Sequence, residues 1–106
     1  MKAALENFSK LEAKKKIAIL GDMFELGKDA KKEHQVICDF VNELKLDTIY
    51  LIGSNFAEVN KENSNVNIYK TFNDFKDNFN ISEIKNTSVL IKGSRGMALE
   101  RILNNI

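Results

Sequence analysis

The stretch that decides the fold is Ile17-Ala18-Ile19-Leu20-Gly21, a run of four apolar residues that ends in glycine. A short, uninterrupted run of this kind is typical of a strand buried on both faces. The run Thr48-Ile49-Tyr50-Leu51-Ile52 repeats the pattern and is also followed by a glycine, Gly53. Ser88-Val89-Leu90-Ile91 predicts another buried strand, and Val66 to Tyr69 predicts a weaker one.

Segments with helical spacing of apolar residues lie before and between these strands. A first helix is predicted over Met1 to Glu12 and a second from about Asp29 to Leu44. Asp29 is the expected N-terminal cap, because its carboxylate can accept the free N–H groups of the first turn. The expected buried stripes are Ala4, Leu5, Phe8 and Leu11 in the first helix, and Val36, Ile37, Phe40, Val41 and Leu44 in the second.

The rest of the chain predicts three shorter helices. One extends from Asn55 to about Lys61, one carries the spaced aromatics Phe72, Phe75 and Phe79, and the last covers Met97 to about Asn104. The order is thus a helix followed by four repeats of strand and helix, and strands joined through helices are expected to be parallel. The predicted fold class is α/β, with an open, mainly parallel sheet and helices on both faces, formed as a single domain by residues 1–106.

Composition excludes several classes of function. The net charge is +1, from 16 basic and 15 acidic side chains, so no electrostatic argument favours nucleic acid or an anionic membrane as a partner. The one cysteine, Cys38, cannot form an internal disulfide and is expected to be a small core residue. The sequence lacks a signal peptide and any apolar run near the roughly 18 residues that cross a bilayer, so a cytoplasmic location is expected.

Three glycine-containing segments should meet at one edge of this sheet, namely residues 21–28, 53–56 and 92–96. In open parallel sheets, ligands bind outside the carboxyl ends of the strands, and glycine lets backbone approach a ligand closely. Residues 92–96 place Lys92, Ser94 and Arg95 between a strand and a helix start, where an anion is favoured. The alternative is that Ser94 caps the last helix and the two cations are solvated.

Two further groups of polar residues are candidates. Asp22 and Glu25 stand three residues apart after the first strand and could bind a metal, an amine or a basic side chain, or could simply keep an exposed loop soluble. His34 has no cysteine or histidine at metal-ligand spacing, which favours a helix-surface or packing residue over a catalytic one. No phosphate loop, dinucleotide-binding glycine motif, zinc spacing or nucleophile elbow is present.

Three pieces of the chain together resemble the C-terminal domain of the Mur ligase family, in particular of members that add D-alanyl-D-alanine. They are Met1-Lys2-Ala3-Ala4-Leu5-Glu6-Asn7-Phe8, Ile19-Leu20-Gly21-Asp22-Met23-Phe24-Glu25-Leu26-Gly27 with His34 beyond it, and Val89-Leu90-Ile91-Lys92-Gly93-Ser94-Arg95-Gly96-Met97 with Glu100. Their order and separation match the family over nearly the whole chain. Ala30 departs from the pattern, since a small hydroxyl residue is expected there.

The resemblance implies an ATP- and magnesium-dependent ligase that joins D-alanyl-D-alanine to UDP-N-acetylmuramoyl-tripeptide, with this domain as a closing lid. It implies substrate contacts for Lys92, Ser94 and Arg95, a place on the same edge for Asp22 and Glu25, and a weaker candidate in His34. It also implies loop-shaping roles for four glycines, which are Gly21, Gly27, Gly93 and Gly96. No catalytic residue and no metal ligand is assigned to the chain.

The same resemblance implies that ATP and magnesium are held mainly by a central domain, the partner of this one. That domain and the N-terminal uridine-nucleotide-binding domain are expected to lie outside this chain, which alone should bind no cofactor and be inactive. Two alternatives stay open: a free-standing doubly wound nucleotide-binding module, which would need phosphate-binding glycines after the first strand, and a receiver-like protein-interaction module. The second needs a phosphorylatable aspartate on the third strand, and residues 66–69 have none.

Overall fold

A four-stranded parallel sheet forms the centre of the molecule. The computed structural model describes residues 2–11, 15–22, 29–44, 46–59, 65–79 and 87–93. The strands are β1 (Lys16–Gly21), β2 (Thr48–Ile52), β3 (Val66–Tyr69) and β4 (Ser88–Lys92), and they lie in the order β3-β2-β1-β4. All three pairings are parallel, which confirms the predicted sheet type.

Strand β1 pairs on both sides and fixes where the other strands end. Gly21 stands opposite Ile52 of β2, and Leu20 stands opposite Lys92 of β4. The carboxyl ends of these three strands are therefore level with one another. The chain crosses from one side of β1 to the other between β3 and β4, so the order in which strands are added reverses beside β1, which is where ligands bind in open α/β sheets.

One face of the sheet is covered by helices α1 (Lys2–Ser9) and α2 (Ala30–Glu43). Their buried side chains pack on the residues of β1 and β2 that point to this face. The cluster consists of Leu5, Phe8, Ala18, Leu20, Ile37, Cys38, Val41, Leu46, Ile49, Leu51, Phe56, Val59 and Val66. The predicted core position of Cys38 is thereby confirmed.

The opposite face is covered by helix α3 (Phe72–Asn78), through aromatic side chains. Ile17, Ile19, Tyr50 and Ile52 alternate with the residues of the first cluster and pack around Phe75. The ring centroid of Phe75 lies 5.3 Å from that of Tyr50 and 4.9 Å from that of Phe79. Helices on both faces are thus confirmed, and the alternation explains why β1 and β2 are apolar throughout.

The first helix is shorter than its apolar spacing predicted. It ends at Ser9, and the amides of Lys10 and Leu11 then donate to carbonyls three residues back, at 3.2 Å each. This tighter turn moves Leu11 off the helical stripe and leaves it 53% exposed, so its predicted burial is wrong. Lys16 Nζ donates to the Ser9 carbonyl at 2.5 Å and supplies a partner at the helix end.

The prediction that Asp29 caps α2 through its carboxylate is also wrong. Asp29 occupies the N-cap position, but among the described residues its side chain accepts no capping hydrogen bond. Its backbone lies at φ −91° and ψ 5°, outside the extended region that aims a capping side chain at the first turn. Thr71, with φ −130° and ψ 160°, does cap α3, accepting from the Asp74 amide at 3.1 Å.

Three further expectations are modified. Strand β4 is half-buried rather than buried, because it pairs with β1 on one side and forms an edge strand of the described sheet. The helix predicted from Asn55 is a single 3₁₀ turn, Phe56–Glu58. In α2 the fully buried side chains are His34, Ile37, Cys38 and Val41, while Val36, Phe40 and Leu44 are only partly buried. The helix predicted over residues 97–104 lies outside the described residues.

Candidate functional site

The described parts of the three predicted segments, residues 21–22, 53–56 and 92–93, lie at the carboxyl edge of the sheet. The Asp22 amide donates to the Ile52 carbonyl at 3.0 Å, which holds the end of β1 against the end of β2. The Gly53 amide donates to the Tyr69 carbonyl at 2.8 Å. On the other side of β1, a Cβ added to Gly93 would lie 3.1 Å from the amide nitrogen and Cα of Gly21. A side chain at position 93 would therefore be a tight fit against the Gly21 backbone.

Asp22 points into the protein from this edge and is only 1% exposed. Its Oδ2 accepts from the Asn55 amide at 2.9 Å, and its Oδ1 accepts from the Phe56 amide at 3.1 Å. Ser54 Oγ adds a longer contact of 3.5 Å to Oδ2. Backbone N–H groups at the start of the 3₁₀ turn therefore compensate the burial of this carboxylate. The alternative of an exposed, solubilising acid is wrong for Asp22.

Gly53 is required for this contact. Its φ is +131°, a conformation that other residues rarely adopt. A Cβ on Gly53 would lie 2.2 Å from the carboxyl carbon of Asp22. The turn after β2 can therefore hold the Asp22 carboxylate because position 53 has no side chain.

His34 packs behind Asp22 and is fully buried. Its Nδ1 donates to the Ala30 carbonyl one turn earlier, so Nδ1 carries a hydrogen. The other ring nitrogen, Nε2, lies 3.7 Å from Asp22 Oδ1. The ring also meets Phe56 edge-on, with centroids 4.6 Å apart and an interplanar angle of 77°. His34 is thus a packing residue and not a helix-surface residue, the other possibility that its sequence context favoured.

The chemistry available at this edge is that of binding and positioning. Among the described residues, no group of three or more histidine, cysteine, aspartate or glutamate side chains is placed to hold a metal ion. Lys92 stands exposed at the end of β4 and provides a cation beside the meeting turns. None of the helices in the described part of the chain has the length and apolar character to span a bilayer.

Comparison with known families decides the affiliation. The family model of the Mur ligase glutamate ligase domain matches residues 1–95. The chain belongs to the Mur ligase family.

Several relatives with named functions are similar to this Mur ligase domain. The UDP-N-acetylmuramoyl-tripeptide--D-alanyl-D-alanine ligase of Rickettsia prowazekii is 31% identical over 111 residues, covering 98% of this chain and 24% of that protein. The ligase of the same name from Borreliella burgdorferi is 36% identical over 94 residues, covering 85% of this chain and 20% of that protein. The chain therefore spans about a quarter or less of these relatives.

Solved structures agree with this membership. A crystal structure of MurF from Acinetobacter baumannii superposes with a TM-score of 0.78 at 25% identity, over 99% of this chain and 24% of that one. MurF from Thermotoga maritima, solved in complex with ADP, superposes with a TM-score of 0.68 at 23% identity, over 95% of this chain and 23% of that one. The second likeness concerns the fold alone. Together they confirm that the α/β fold is that of Mur ligase C-terminal domains.

The predicted site residues of this Mur ligase domain fall into two groups. Asp22, His34, Gly21, Gly93 and Lys92 are described, and all except His34 lie on the edge itself, with His34 directly behind Asp22. The other candidates lie outside the described residues; they are Glu25, Gly27, Ser94, Arg95 and Gly96. A substrate contact by Lys92 or by these five residues stays a prediction.

Two contributions to the site were not foreseen from the sequence. The amides of Asn55 and Phe56 bind Asp22 across more than thirty residues of chain, and no local pattern predicts such a pairing. The burial of His34 had a visible signal, because positions 34, 37, 38 and 41 follow helical spacing and form one stripe. Histidine is a polar residue type, so apolar periodicity alone does not include it in the stripe.

Proposed function

We propose that this chain is the C-terminal domain of an ATP-dependent ligase that joins D-alanyl-D-alanine to UDP-N-acetylmuramoyl-tripeptide in peptidoglycan synthesis. Support comes from relatives of that name, which match nearly the whole chain. The observation that carries the proposal is the meeting of the Asp22, Gly53 and Gly93 turns at one carboxyl edge. That edge is where a ligand held by a neighbouring domain would be met.

In the proposed reaction, ATP transfers its γ-phosphoryl group to the carboxylate of the tripeptide and leaves as ADP, and the amine of D-alanyl-D-alanine attacks the resulting acyl phosphate, releasing phosphate. A C–N bond forms, the C–O bond to phosphate breaks, and the amine loses a proton. The described residues do not form a metal site, so we assign the magnesium ion and the phosphates of ATP to the central domain. This domain's proposed part is to bind the dipeptide and to close over the acyl phosphate, which excludes competing water.

Lys92, Ser94 and Arg95 are the proposed contacts for the dipeptide carboxylate or the phosphate region. Lys92 is exposed at the end of β4, and the next residue, Gly93, lies against Gly21. A cation there can approach an anionic ligand closely, because the neighbouring Gly93 has no side chain. Asp22 and His34 are instead proposed to shape the edge, because burial keeps both side chains from solvent. We propose a cytoplasmic location, where a nucleotide-linked precursor and ATP are both available.

A stand-alone nucleotide-binding module is less well supported. Such a module would offer backbone N–H groups to a phosphate at the carboxyl edge. Here the amides of Asn55 and Phe56, at the start of the 3₁₀ turn, already donate to the Asp22 carboxylate. A phosphate at this turn would have to displace a buried carboxylate and would meet its negative charge.

A domain graft tests the proposal. Residues 1–106 would replace the matching C-terminal segment of the Rickettsia prowazekii ligase, and ATP-dependent joining of D-alanyl-D-alanine to the tripeptide would be measured. We expect the graft to ligate, whereas the same ligase cut before this segment should not. A folded, soluble graft no more active than the truncated ligase would contradict the proposal.

A further inference from the structure

We infer that His34 is a positioning residue, which acts through the Asp22 carboxylate to hold the turn at residues 53–56 on the ligand-facing edge. The inference starts from burial, since the side chains of His34 and Asp22 are 0% and 2% exposed. Neither can therefore meet a ligand directly. The placement of the turn follows from geometry alone, and only its consequence for ligation rests on the proposed function.

The His34 ring is held from two sides. Nδ1 donates to the Ala30 carbonyl in the first turn of α2, which fixes the orientation of the ring. The edge-on contact with Phe56, at 4.6 Å between centroids, fills the space beside the ring. Nε2 is thereby kept facing Asp22 Oδ1 at 3.7 Å, too long for a direct hydrogen bond, so the ring limits the position of the carboxylate by packing against it.

The same oxygen links the ring to the turn. Asp22 Oδ1 accepts from the Phe56 amide at 3.1 Å, while Oδ2 accepts from the Asn55 amide at 2.9 Å. One carboxylate therefore connects the first turns of α2, the end of β1 and the turn after β2. A shift of the carboxylate would weaken both of these hydrogen bonds at the start of the 3₁₀ turn.

Two substitutions of His34 test the roles of the two ring nitrogens separately. In His34→Gln the side-chain amide reaches the place of Nε2, so a polar group still packs against Asp22. In His34→Asn the amide reaches only the place of Nδ1, where it can keep the bond to the Ala30 carbonyl, but it stops short of Asp22. Both side chains are uncharged and similar in polarity, which makes each the matched control of the other.

Amide hydrogen exchange of the 106-residue chain, followed by NMR, tests the placement. Relative to the amides of β1 and β2, His34→Asn should speed exchange at Asn55 and Phe56 about tenfold, since local opening becomes easier. His34→Gln should leave these two rates within about threefold of the unsubstituted chain. Equal acceleration of all amides in both variants, or no change at Asn55 and Phe56 in His34→Asn, would overturn the inference.

The unsubstituted chain provides a second readout that needs no variant to fold. Nitrogen-15 correlation spectra of the imidazole should show a hydrogen on Nδ1, in accord with the bond to Ala30. A neutral ring with its hydrogen on Nε2 alone would overturn the geometry on which the inference rests.

The consequence for ligation is measured in the grafted ligase. We expect His34→Asn to raise the KM for D-alanyl-D-alanine or lower kcat about tenfold, and His34→Gln to restore most of the loss. Unchanged kcat and KM in His34→Asn, despite faster exchange at the turn, would refute a role in positioning for ligation. An inactive unsubstituted graft would instead count against the proposed function, while the exchange result would still decide the placement.

Discussion

Gly53 and Asp22 are in such close contact that a Cβ on Gly53 would lie 2.2 Å from the Asp22 carboxyl carbon. The substitution Gly53→Ala adds this clash to the strain of a φ of +131°. We expect it to lower the free energy of unfolding by about 3 kcal/mol or more, as measured by urea denaturation. Ser54→Ala, at the exposed neighbouring position, is the control and should cost less than about 1 kcal/mol. Similar losses in both variants would contradict the close contact.

Asp22→Asn should destabilise the domain by about 2 kcal/mol. The two oxygens of the carboxylate accept from the amides of Asn55 and Phe56, and an asparagine has only one oxygen to offer. Its NH₂ group would then face an N–H donor in a buried site. Asp29→Asn is the matched control, because Asp29 is exposed and its side chain makes no capping bond within the described residues. A loss in Asp29→Asn as large as in Asp22→Asn would show that our account of the two acids is incorrect.

Phe75→Ala should be among the most damaging changes on the α3 face, lowering the free energy of unfolding by about 3–5 kcal/mol. The side chain is fully buried and contacts the rings of Tyr50 and Phe79. Phe72→Ala, half-buried on the same helix, should cost clearly less. Chemical denaturation of both variants measures the difference, and equal losses would speak against Phe75 as the centre of this core.

Lys92→Ala in the grafted ligase should raise the KM for D-alanyl-D-alanine about tenfold, with a smaller effect on kcat. Lys92 is an exposed cation at the carboxyl edge, placed to pair with an anionic part of the ligand. Lys10→Ala is the control, because Lys10 follows α1 near the start of β1, and within the described residues its side chain makes an exposed pair with Glu6. The assignment fails if the two variants have the same KM.

The chain alone should neither release phosphate from ATP nor join the dipeptide. It spans 24% of the Rickettsia prowazekii ligase and 20% of the Borreliella burgdorferi ligase, and we propose that the ATP site lies in the remainder of such a ligase. Phosphate release and product formation by the purified chain would be measured with both substrates at millimolar concentration. ATP-dependent ligation above background would disprove this expectation.

The sequence was sufficient to predict the sheet and the edge where the site lies. Four apolar runs identified four parallel strands, and the rule for open sheets placed Asp22 and Gly93 together. It was less informative where a contact joins distant residues, as between Asp22 and the Phe56 amide, since no local periodicity encodes it. Helix ends were also missed, because the turn after Ser9 is set by backbone bonds and by Lys16 rather than by apolar spacing.

The central place of β1 has a consequence for the way the domain is made. Lys16 pairs with Ser88, which lies much later in the chain, after both β2 and β3. While the polypeptide emerges from the ribosome, β1 can join β2 early, but its second edge stays open until Ser88–Lys92 has been synthesised. Such an open apolar edge is a site for pairing with other nascent chains. Pairing with β4 covers this edge of β1 and thereby reduces the risk of aggregation.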